Sequence, residues 1–512
     1  RDRSVSRGLG DVYKRQPREV EQALESAVNN APIWFATPPV ERAAILHRAA
    51  VLMESQMQQL IGILVREAGK TFSNAIAEVR EAVDFLHYYA GQVRDDFANE
   101  THRPLGPVVC ISPWNFPLAI FTGQIAAALA AGNSVLAKPA EQTPLIAAQG
   151  IAILLEAGVP PGVVQLLPGQ GETVGAQLTG DDRVRGVMFT GSTEVATLLQ
   201  RNIASRLDAQ GRPIPLIAET GGMNAMIVDS SALTEQVVVD VLASAFDSAG
   251  QRCSALRVLC LQDEIADHTL KMLRGAMAEC RMGNPGRLTT DIGPVIDSEA
   301  KANIERHIQT MRSKGRPVFQ AVRENSEDAR EWQSGTFVAP TLIELDDFAE
   351  LQKEVFGPVL HVVRYNRNQL PELIEQINAS GYGLTLGVHT RIDETIAQVT
   401  GSAHVGNLYV NRNMVGAVVG VQPFGGEGLS GTGPKAGGPL YLYRLLANRP
   451  ESALAVTLAR QDAEYPVDAQ LKAALTQPLN ALREWAANRP ELQALCTQYG
   501  LSLIHISEPT RH

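Results

Sequence analysis

The spacing of hydrophobic and polar positions changes character near residue 106. Between residues 18 and 95 the apolar positions recur at helical spacing, and Ala, Leu, Glu and Arg dominate. Pro38-Pro39 and Gly69-Lys70 interrupt this pattern, since proline and glycine are strong local breakers. The N-terminal stretch is therefore predicted to form about four helices.

Beyond residue 106, short apolar runs alternate with alanine-rich segments. The predicted strands are 108–112, 134–138, 163–167 and 186–189, and the predicted helices are 118–131, 143–157, 172–179 and 193–207. This β-α-β-α order is typical of a mostly parallel sheet with helices on both faces. Ligands of such sheets bind at the carboxyl ends of the strands.

A second α/β set follows Glu219. Its predicted strands are 225–228, 256–261, 337–343, 358–364, 384–389 and 407–411, and its predicted helices are 233–248, 266–281 and 298–314. A glycine-rich loop occupies 416–438, and the tail 451–500 has a weak helical pattern. The pattern as a whole predicts an α/β protein with two lobes.

Composition narrows the class of protein. The chain has 512 residues, 45% hydrophobic and 20% charged, as expected of a globular protein with more than one lobe. A net charge of -10 argues against nucleic acid or an anionic membrane as the main partner. The 5 cysteines form no C-x-x-C pair, so we expect neither a metal site nor a disulfide framework. A reducing, cytoplasmic location fits this cysteine usage.

Cys253 is the candidate nucleophile because it lies in a short polar turn, whereas Cys110 and Cys260 lie in strand-like runs and are expected in the core. A thiolate that attacks an aldehyde gives a thiohemiacetal, which can pass hydride to NAD+ and leave a thioester for hydrolysis. This chemistry needs a base and an oxyanion donor. Glu219, beside Gly221-Gly222, and Asn115, between two prolines, could supply them. The alternatives are that Glu219 ends a strand in a salt bridge and that Asn115 caps a helix.

Candidate cofactor residues follow the predicted strands. Lys138 and Glu141 come at a strand's carboxyl end, where an acid favours ribose hydroxyls over a 2'-phosphate and hence NAD over NADP. The segment 189–192 ends a strand and opens a helix whose N–H groups could face a pyrophosphate. The glycine-rich segment 168–175 lacks the G-x-G-x-x-G spacing and is equally consistent with a turn.

Six motifs occur in a fixed order: Pro-Trp-Asn-Phe-Pro from 113, Lys-Pro-Ala-Glu from 138, Phe-Thr-Gly-Ser from 189, Glu-Thr-Gly-Gly from 219, Gly-Gln-Arg-Cys from 250 and Glu-Val-Phe-Gly-Pro from 354. Over residues 20–445 the chain resembles the aldehyde dehydrogenase superfamily. The resemblance implies a Rossmann-like NAD-binding domain and an α/β catalytic domain, with Cys253 as nucleophile, Glu219 as general base and Asn115 as oxyanion donor. It implies cofactor contacts at Ser112, Pro113, Trp114, Lys138, Glu141, Gly171, Phe189, Thr190, Gly191, Ser192, Gly221, Glu354 and Phe356.

The loop 416–426 and Ser254 resemble those of glutamate semialdehyde (1-pyrroline-5-carboxylate) dehydrogenases. The segments 214–219 and 428–435 are similar to the dehydrogenase half of the bacterial proline utilization A family. The resemblance implies that Gly416 and Ala417 N–H groups and the Ser254 hydroxyl hold a substrate carboxylate, while Phe424 packs on its aliphatic part. The alternative is a structural loop with a core Phe. Met223 departs from the resemblance, which leads us to expect Gln there.

The activity implied is NAD-dependent oxidation of L-glutamate γ-semialdehyde to L-glutamate, the second step of proline catabolism. Two alternatives stay open: an aldehyde dehydrogenase for another semialdehyde or aliphatic aldehyde, and a non-catalytic binding module with the same fold. The resemblance also implies a homo-oligomer and, in a longer parent protein, an upstream FAD-dependent proline dehydrogenase domain. Nothing in the chain supports DNA binding.

The predicted division of the chain follows from these assignments. Residues 1–16 and 501–512 resemble translated sequencing adapter, so we exclude them and expect a fragment of a longer protein. The remaining parts are 17–218 (helical N-terminal part and NAD-binding domain), 219–445 (catalytic domain) and 446–500 (helical tail for oligomerisation).

Overall fold

The computed structural model describes residues 17–208, 210–322, 332 and 335–453. The described chain begins with four helices: α1 (Pro17–Ala36), α2 (Pro39–Ser55), α3 (Met57–Glu67) and α4 (Phe72–Asp96). Helix α2 starts on Pro39, whose fixed φ suits the first helical position. The four helices predicted for this stretch are thus confirmed. The predicted tail lies outside the described residues from 454 onward, as do both chain ends.

The first sheet is parallel and has five strands in the order β4-β3-β2-β5-β6. They are β2 (Pro107–Ile111), β3 (Ser134–Lys138), β4 (Val164–Leu166), β5 (Gly186–Thr190) and β6 (Leu216–Glu219). The helices of this lobe are α5 (Ala119–Ala130), α6 (Pro144–Glu156), α7 (Ala176–Gly180) and α8 (Thr193–Ala204). Strand order reverses between β2 and β5, so a ligand crevice is expected outside their carboxyl ends.

The second sheet has seven strands in the order β14-β13-β7-β8-β11-β10-β9, parallel except for β9. Its strands are β7 (Ala225–Val228), β8 (Val258–Gln262), β9 (Val318–Gln320), β10 (Thr341–Leu345), β11 (Val359–Tyr365), β13 (Thr385–His389) and β14 (Asn407–Val410). Its helices are α9 (Thr234–Phe246), α10 (Asp263–Glu279), α11 (Ser298–Ser313), α12 (Leu370–Ala379) and α13 (Asp393–Ser402).

Two short antiparallel pairs complete the fold. Strand β1 (Arg103–Pro104) pairs with β16 (Leu446–Asn448), and β12 (Tyr382–Gly383) pairs with β15 (Glu427–Gly428). The strand predicted at 337–343 was wrong in position, because β10 begins only after Pro340, which cannot donate to a ladder. Within the described residues no helix is long and apolar enough to cross a membrane.

The buried core follows the two sheets. Helix α5 is enclosed between α4 and the first sheet, and its residues 126–130, four alanines and Leu129, are completely buried. Cys110 and Cys260 lie in the cores of the two sheets with 1% and 0% exposure, which confirms the structural interpretation of both.

The chain passes between the lobes twice. It leaves the first sheet at Glu219 and enters the second at Ala225. It returns along the outer edge of β6, where the N–H of Thr220 donates to the Ser430 carbonyl and the N–H of Thr432 to that of Ala218. The glycine-rich loop therefore reaches the carboxyl end of β6, beside Glu219. The predicted domain boundaries remain a prediction.

Candidate active site

The segment before Cys253 has an unusual backbone. Ser248 and Ala249 both have φ of 55°, and Gly250 follows with φ of 65°. Consecutive left-handed residues that are not glycine store strain and persist only where the surroundings hold them. Gly250 allows close packing, because a Cβ there would lie 2.2 Å from the Gly357 carbonyl oxygen. This turn ends α9 and precedes the half-buried Cys253.

Side chains from three other segments hold the carbonyl groups of this loop. Asn224 Nδ2 donates to the carbonyls of Cys253 at 2.6 Å and Ala255 at 2.9 Å. Asn115 Nδ2 donates to the Gln251 carbonyl at 3.2 Å, and a buried arginine binds the carbonyls on either side of Gln251. The sequence analysis missed Asn224, since an asparagine after Met223 gave no signal of its role. The nucleophile loop is therefore fixed on several sides.

The environment of Cys253 favours the neutral thiol. Burial raises the pKa of Cys253 to about 12, and the carboxylates of Glu354, Glu219 and Glu81 add to this, while the Ser254 N–H opposes it. Deprotonation of Cys253 to the nucleophilic thiolate therefore requires a base, or a positive charge that arrives with the substrate or cofactor. Glu81, on α4, was not predicted, because its spacing is that of an ordinary amphipathic helix.

Asn115 does not cap a helix, so that alternative was wrong. Helix α5 begins at Ala119, and the N–H groups of Leu118 and Ala119 donate to Glu78 Oε1 at 2.8 and 3.3 Å. Glu78 on α4 thus caps α5, which leaves the Asn115 amide to reach the nucleophile loop.

Phe116, next to Asn115, is held between two cations. Lys70 Nζ lies 4.1 Å and the Arg252 guanidinium carbon 5.4 Å from the ring centroid. Lys70 also forms a completely enclosed ion pair with Glu78 at 2.6 Å. These contacts connect the α5 cap, the Phe116 ring and the residue before Cys253.

Glu219 lies at the end of β6 within a glycine cradle formed by Gly425, Gly426 and Gly431. Its Oε2 accepts the Gly426 N–H at 2.9 Å, and a Cβ on Gly431 would lie 2.6 Å from the same oxygen. Its buried Oε1 has no hydrogen-bond partner, and no ion pair to Glu219 occurs among the described residues, so the salt-bridge alternative was wrong. Burial raises the pKa of Glu219 to about 8, while the Gly426 N–H and Lys435 oppose the rise.

The predicted ribose residues lie together at the end of β3. Glu141 Oε1 accepts the N–H of Gly171 at 3.0 Å, and Lys138 Nζ donates to the Pro139 carbonyl at 3.2 Å. Burial lowers the pKa of Lys138, while the neighbouring carboxylates of Glu141 and Glu172 raise it. Gly171 opens a π-helical turn over 171–175 that leads into α7.

The end of β5 lies beside the same crevice. Thr190 Oγ1 accepts from Gln124 Nε2 at 3.1 Å, and the Gly191 N–H donates to the Glu219 carbonyl at 3.1 Å. Ser192 caps α8 by accepting the Val195 N–H. The hydroxyl of Ser112, at the end of β2, is buried and has no partner within the described residues.

Four predicted cofactor residues form two contacting pairs. Glu354 packs so closely on Gly221 that a Cβ there would lie 1.7 Å from Glu354 Oε2. The rings of Trp114 and Phe356 meet edge to face with centroids 5.5 Å apart. Gly221 is therefore a glycine because the Glu354 carboxylate occupies the side-chain position.

The predicted substrate loop has a defined shape. Gly416 has φ of +88°, and the Gly437 N–H donates to the Tyr89 hydroxyl at 2.9 Å. Phe424 is half-buried and exchanges backbone hydrogen bonds with Ala436. Ser254 is buried next to Cys253, and Met223 is buried in the core of the second sheet. Ala417 is half-buried in the same loop.

A thiol, a carboxylate and an amide thus lie at the meeting of two α/β lobes. Residues 2–447 match the profile of the aldehyde dehydrogenase family, and the chain belongs to that family.

Individual relatives narrow the comparison. The chain is similar to the bifunctional protein PutA of Escherichia coli, at 98% identity over 492 residues, 96% of this chain and 37% of that protein. It spans about a third of the length of that relative. It is 37% identical over 448 residues to 1-pyrroline-5-carboxylate dehydrogenase of Bacillus cereus, 85% of each chain. A crystal structure of 1-pyrroline-5-carboxylate dehydrogenase from Thermus with bound NAD gives a TM-score of 0.78 at 38% identity, covering 85% of each chain.

Proposed function

We propose that the chain catalyses NAD-dependent oxidation of L-glutamate γ-semialdehyde, formed from 1-pyrroline-5-carboxylate, to L-glutamate. The observation that carries the proposal is the convergence of Asn115, Glu219 and Cys253 at the crevice between the lobes. The similarity to 1-pyrroline-5-carboxylate dehydrogenases of comparable length supports the choice of substrate.

Each side chain has a separate task. Cys253 Sγ bonds to the aldehyde carbon as the thiolate, and the oxyanion of the thiohemiacetal accepts hydrogen bonds from the Asn115 amide and the Cys253 N–H. Loss of hydride from the former aldehyde carbon to bound NAD+ would leave the thioester. Glu219 then takes a proton from the water that attacks the thioester, and the acid leaves with regeneration of the thiol. A carboxyl group with a pKa of about 8 is close to the working pH, which suits reversible proton transfer.

The residues at the crevice fit a nicotinamide dinucleotide. The unpartnered hydroxyl of Ser112, the exposed carboxylate of Glu141 and the start of α8 would bind ribose and phosphate. Glu354, held on Gly221 between the lobes, would hold the nicotinamide ribose. Bound NAD+ supplies the hydride acceptor and a positive charge that favours the thiolate.

The loop 416–424 would select the substrate. Gly416 and Ala417 would present N–H groups to its carboxylate together with the Ser254 hydroxyl, and Phe424 would pack on its methylene groups. We further propose a cytoplasmic homo-oligomer whose parent protein carries an upstream FAD-dependent proline dehydrogenase domain. The incomplete coverage of the PutA relative supports such a parent.

The test is NADH formation by the purified chain with NAD+ and 1-pyrroline-5-carboxylate, with propanal and succinate semialdehyde as comparison substrates. We expect strong preference for the pyrroline substrate and complete loss of activity in Cys253→Ala. Turnover of the comparison substrates alone would retain the Cys253 chemistry and reject the substrate assignment. A folded protein that binds NAD+ without turnover would favour the non-catalytic alternative.

A further inference from the structure

Arg257 is the most completely enclosed charged group near the site. Its residue exposure is 0%, and it lies just before β8, four positions after Cys253. Burial of a guanidinium is costly unless each N–H group finds an acceptor. The proposed function does not assign it a role, since it does not line the crevice.

The guanidinium of Arg257 has an acceptor for each of its five N–H groups. Its Nη1 donates to the Gly250 carbonyl at 2.7 Å and the Gly357 carbonyl at 3.3 Å, and its Nη2 donates to the Arg252 carbonyl at 2.9 Å. The remaining donors bind Glu354 Oε1, from Nε at 3.1 Å and Nη2 at 2.9 Å. The Arg257 guanidinium thus contacts both the nucleophile loop and the Glu354 carboxylate.

The backbone and ring contacts fix the arginine itself. Its N–H donates to the Asn224 carbonyl at 2.9 Å, and its carbonyl accepts the His361 N–H at 2.9 Å. The guanidinium carbon lies 5.0 Å from the centroid of the Phe356 ring, which adds a cation–π contact. The neighbouring elements therefore leave Arg257 little freedom to move.

We propose that Arg257 is a positioning residue that couples the cofactor side of the site to the nucleophile. The guanidinium holds Glu354 against Gly221 and holds the strained turn at Gly250 and Arg252, so displacement of either end moves the other. The inference rests on the proposed function only for the roles of Glu354 in cofactor binding and of Cys253 as the nucleophile. Lysine cannot replace the arginine, because an ammonium has three donors and no planar fork.

The test compares Arg257→Lys with Arg42→Lys. Arg42 is a matched control: it is also 0% exposed and binds the Ala130, Phe35 and Thr37 carbonyls and Asn99, but it lies on α2 and pairs with no carboxylate in the described part of the chain. The readouts are the Kd for NAD+ by calorimetry, turnover, the melting temperature, and the rate of Cys253 alkylation by iodoacetamide followed by peptide mass spectrometry.

For Arg257→Lys we expect a rise of about tenfold or more in the Kd for NAD+ and a similar fall in kcat, the equivalent of one or two charged hydrogen bonds. Alkylation of Cys253 without cofactor should become several-fold faster, since a loosened loop relieves the burial that raises the thiol pKa. Arg42→Lys should lower the melting temperature and leave the Kd and alkylation rate unchanged.

A melting temperature that falls while the Kd and alkylation rate stay within about twofold of wild type would overturn the proposal. If Arg257→Lys does not fold, Gly221→Ala applies the displacement from the opposite side, since its methyl group takes the space of Glu354 Oε2. Altered Cys253 alkylation in Gly221→Ala would support the coupling, and an unaltered rate would overturn it. Neither NAD+ binding nor alkylation needs substrate, so absence of wild-type turnover would reject the proposed function separately.

Discussion

The pH dependence of thioester hydrolysis provides a direct test of the Glu219 assignment. Because burial raises the pKa of Glu219 to about 8, about one tenth of the molecules carry the carboxylate at pH 7 and about nine tenths at pH 9. Only the carboxylate can accept a proton from water. Hydrolysis of the acyl-enzyme should therefore rise about tenfold from pH 7 to pH 9 and then level off.

The assay is hydrolysis of 4-nitrophenyl acetate, in which a burst of nitrophenol reports acylation of Cys253 and the slower phase reports deacylation. This readout needs neither cofactor nor the natural aldehyde. Lys435→Met should move the midpoint to higher pH, since the ammonium favours the charged form of Glu219. Lys314→Met, at an exposed position after α11, should leave the midpoint unchanged.

Glu219→Gln should lower deacylation by about 10²- to 10⁴-fold and abolish the plateau. Attack by hydroxide would give a rate that keeps rising with pH. A plateau in the deacylation rate therefore indicates that the Glu219 carboxylate, and not hydroxide, activates the attacking water. A wild-type midpoint near 4.5, or the same profile in wild type and Glu219→Gln, would refute the reasoning.

Three further predictions test other parts of the structure. Asn115→Ala should lower kcat for the aldehyde by about 10²- to 10³-fold with little change in KM, because an oxyanion donor is lost; steady-state kinetics in which only KM changes would contradict this. Glu78→Ala should lower the free energy of unfolding in urea by about 3–5 kcal/mol, because Lys70 loses the partner of its buried charge. Adding Lys70→Met to this variant should recover part of the lost stability, and no recovery would argue against an unpaired charge as the cause. Gly416→Val should reduce kcat/KM for the semialdehyde about tenfold more than for propanal, whereas Gly315→Val, with a comparable φ of +76° at a remote open position, should change kcat/KM for neither substrate. Equal losses for both substrates in Gly416→Val would reject a carboxylate contact at this loop.

The sequence predicted the framework well wherever buried runs are bounded by turn residues. The strands at 134–138 and 225–228 have the predicted bounds, because each is a short apolar run that ends at a polar residue. Helices α12 and α13 were missed, since the late part of the chain was interpreted mainly for its strands. The later start of β10, at Thr341 rather than 337, shows that a single proline can displace the beginning of a strand within an apolar run.

The contacts that shape the site were harder to predict, because they join distant parts of the chain. Glu219 and Gly426 are 207 positions apart, and Glu354 and Arg257 are 97 apart. No periodicity or local propensity encodes such pairs. Glu354 resembled an ordinary surface acid, and only the family resemblance marked it. Arg257 and the Glu78 cap carried no local signal at all.

The glycine cradle has a consequence for protein engineering. The loop that would select the substrate at Gly416–Phe424 continues directly into Gly425 and Gly426, which hold the Glu219 carboxylate. Grafting a foreign loop to accept a new aldehyde would therefore also change the backbone that surrounds the Glu219 carboxylate. Retargeted enzymes should keep residues 425–431 unchanged and confine the graft to the preceding residues.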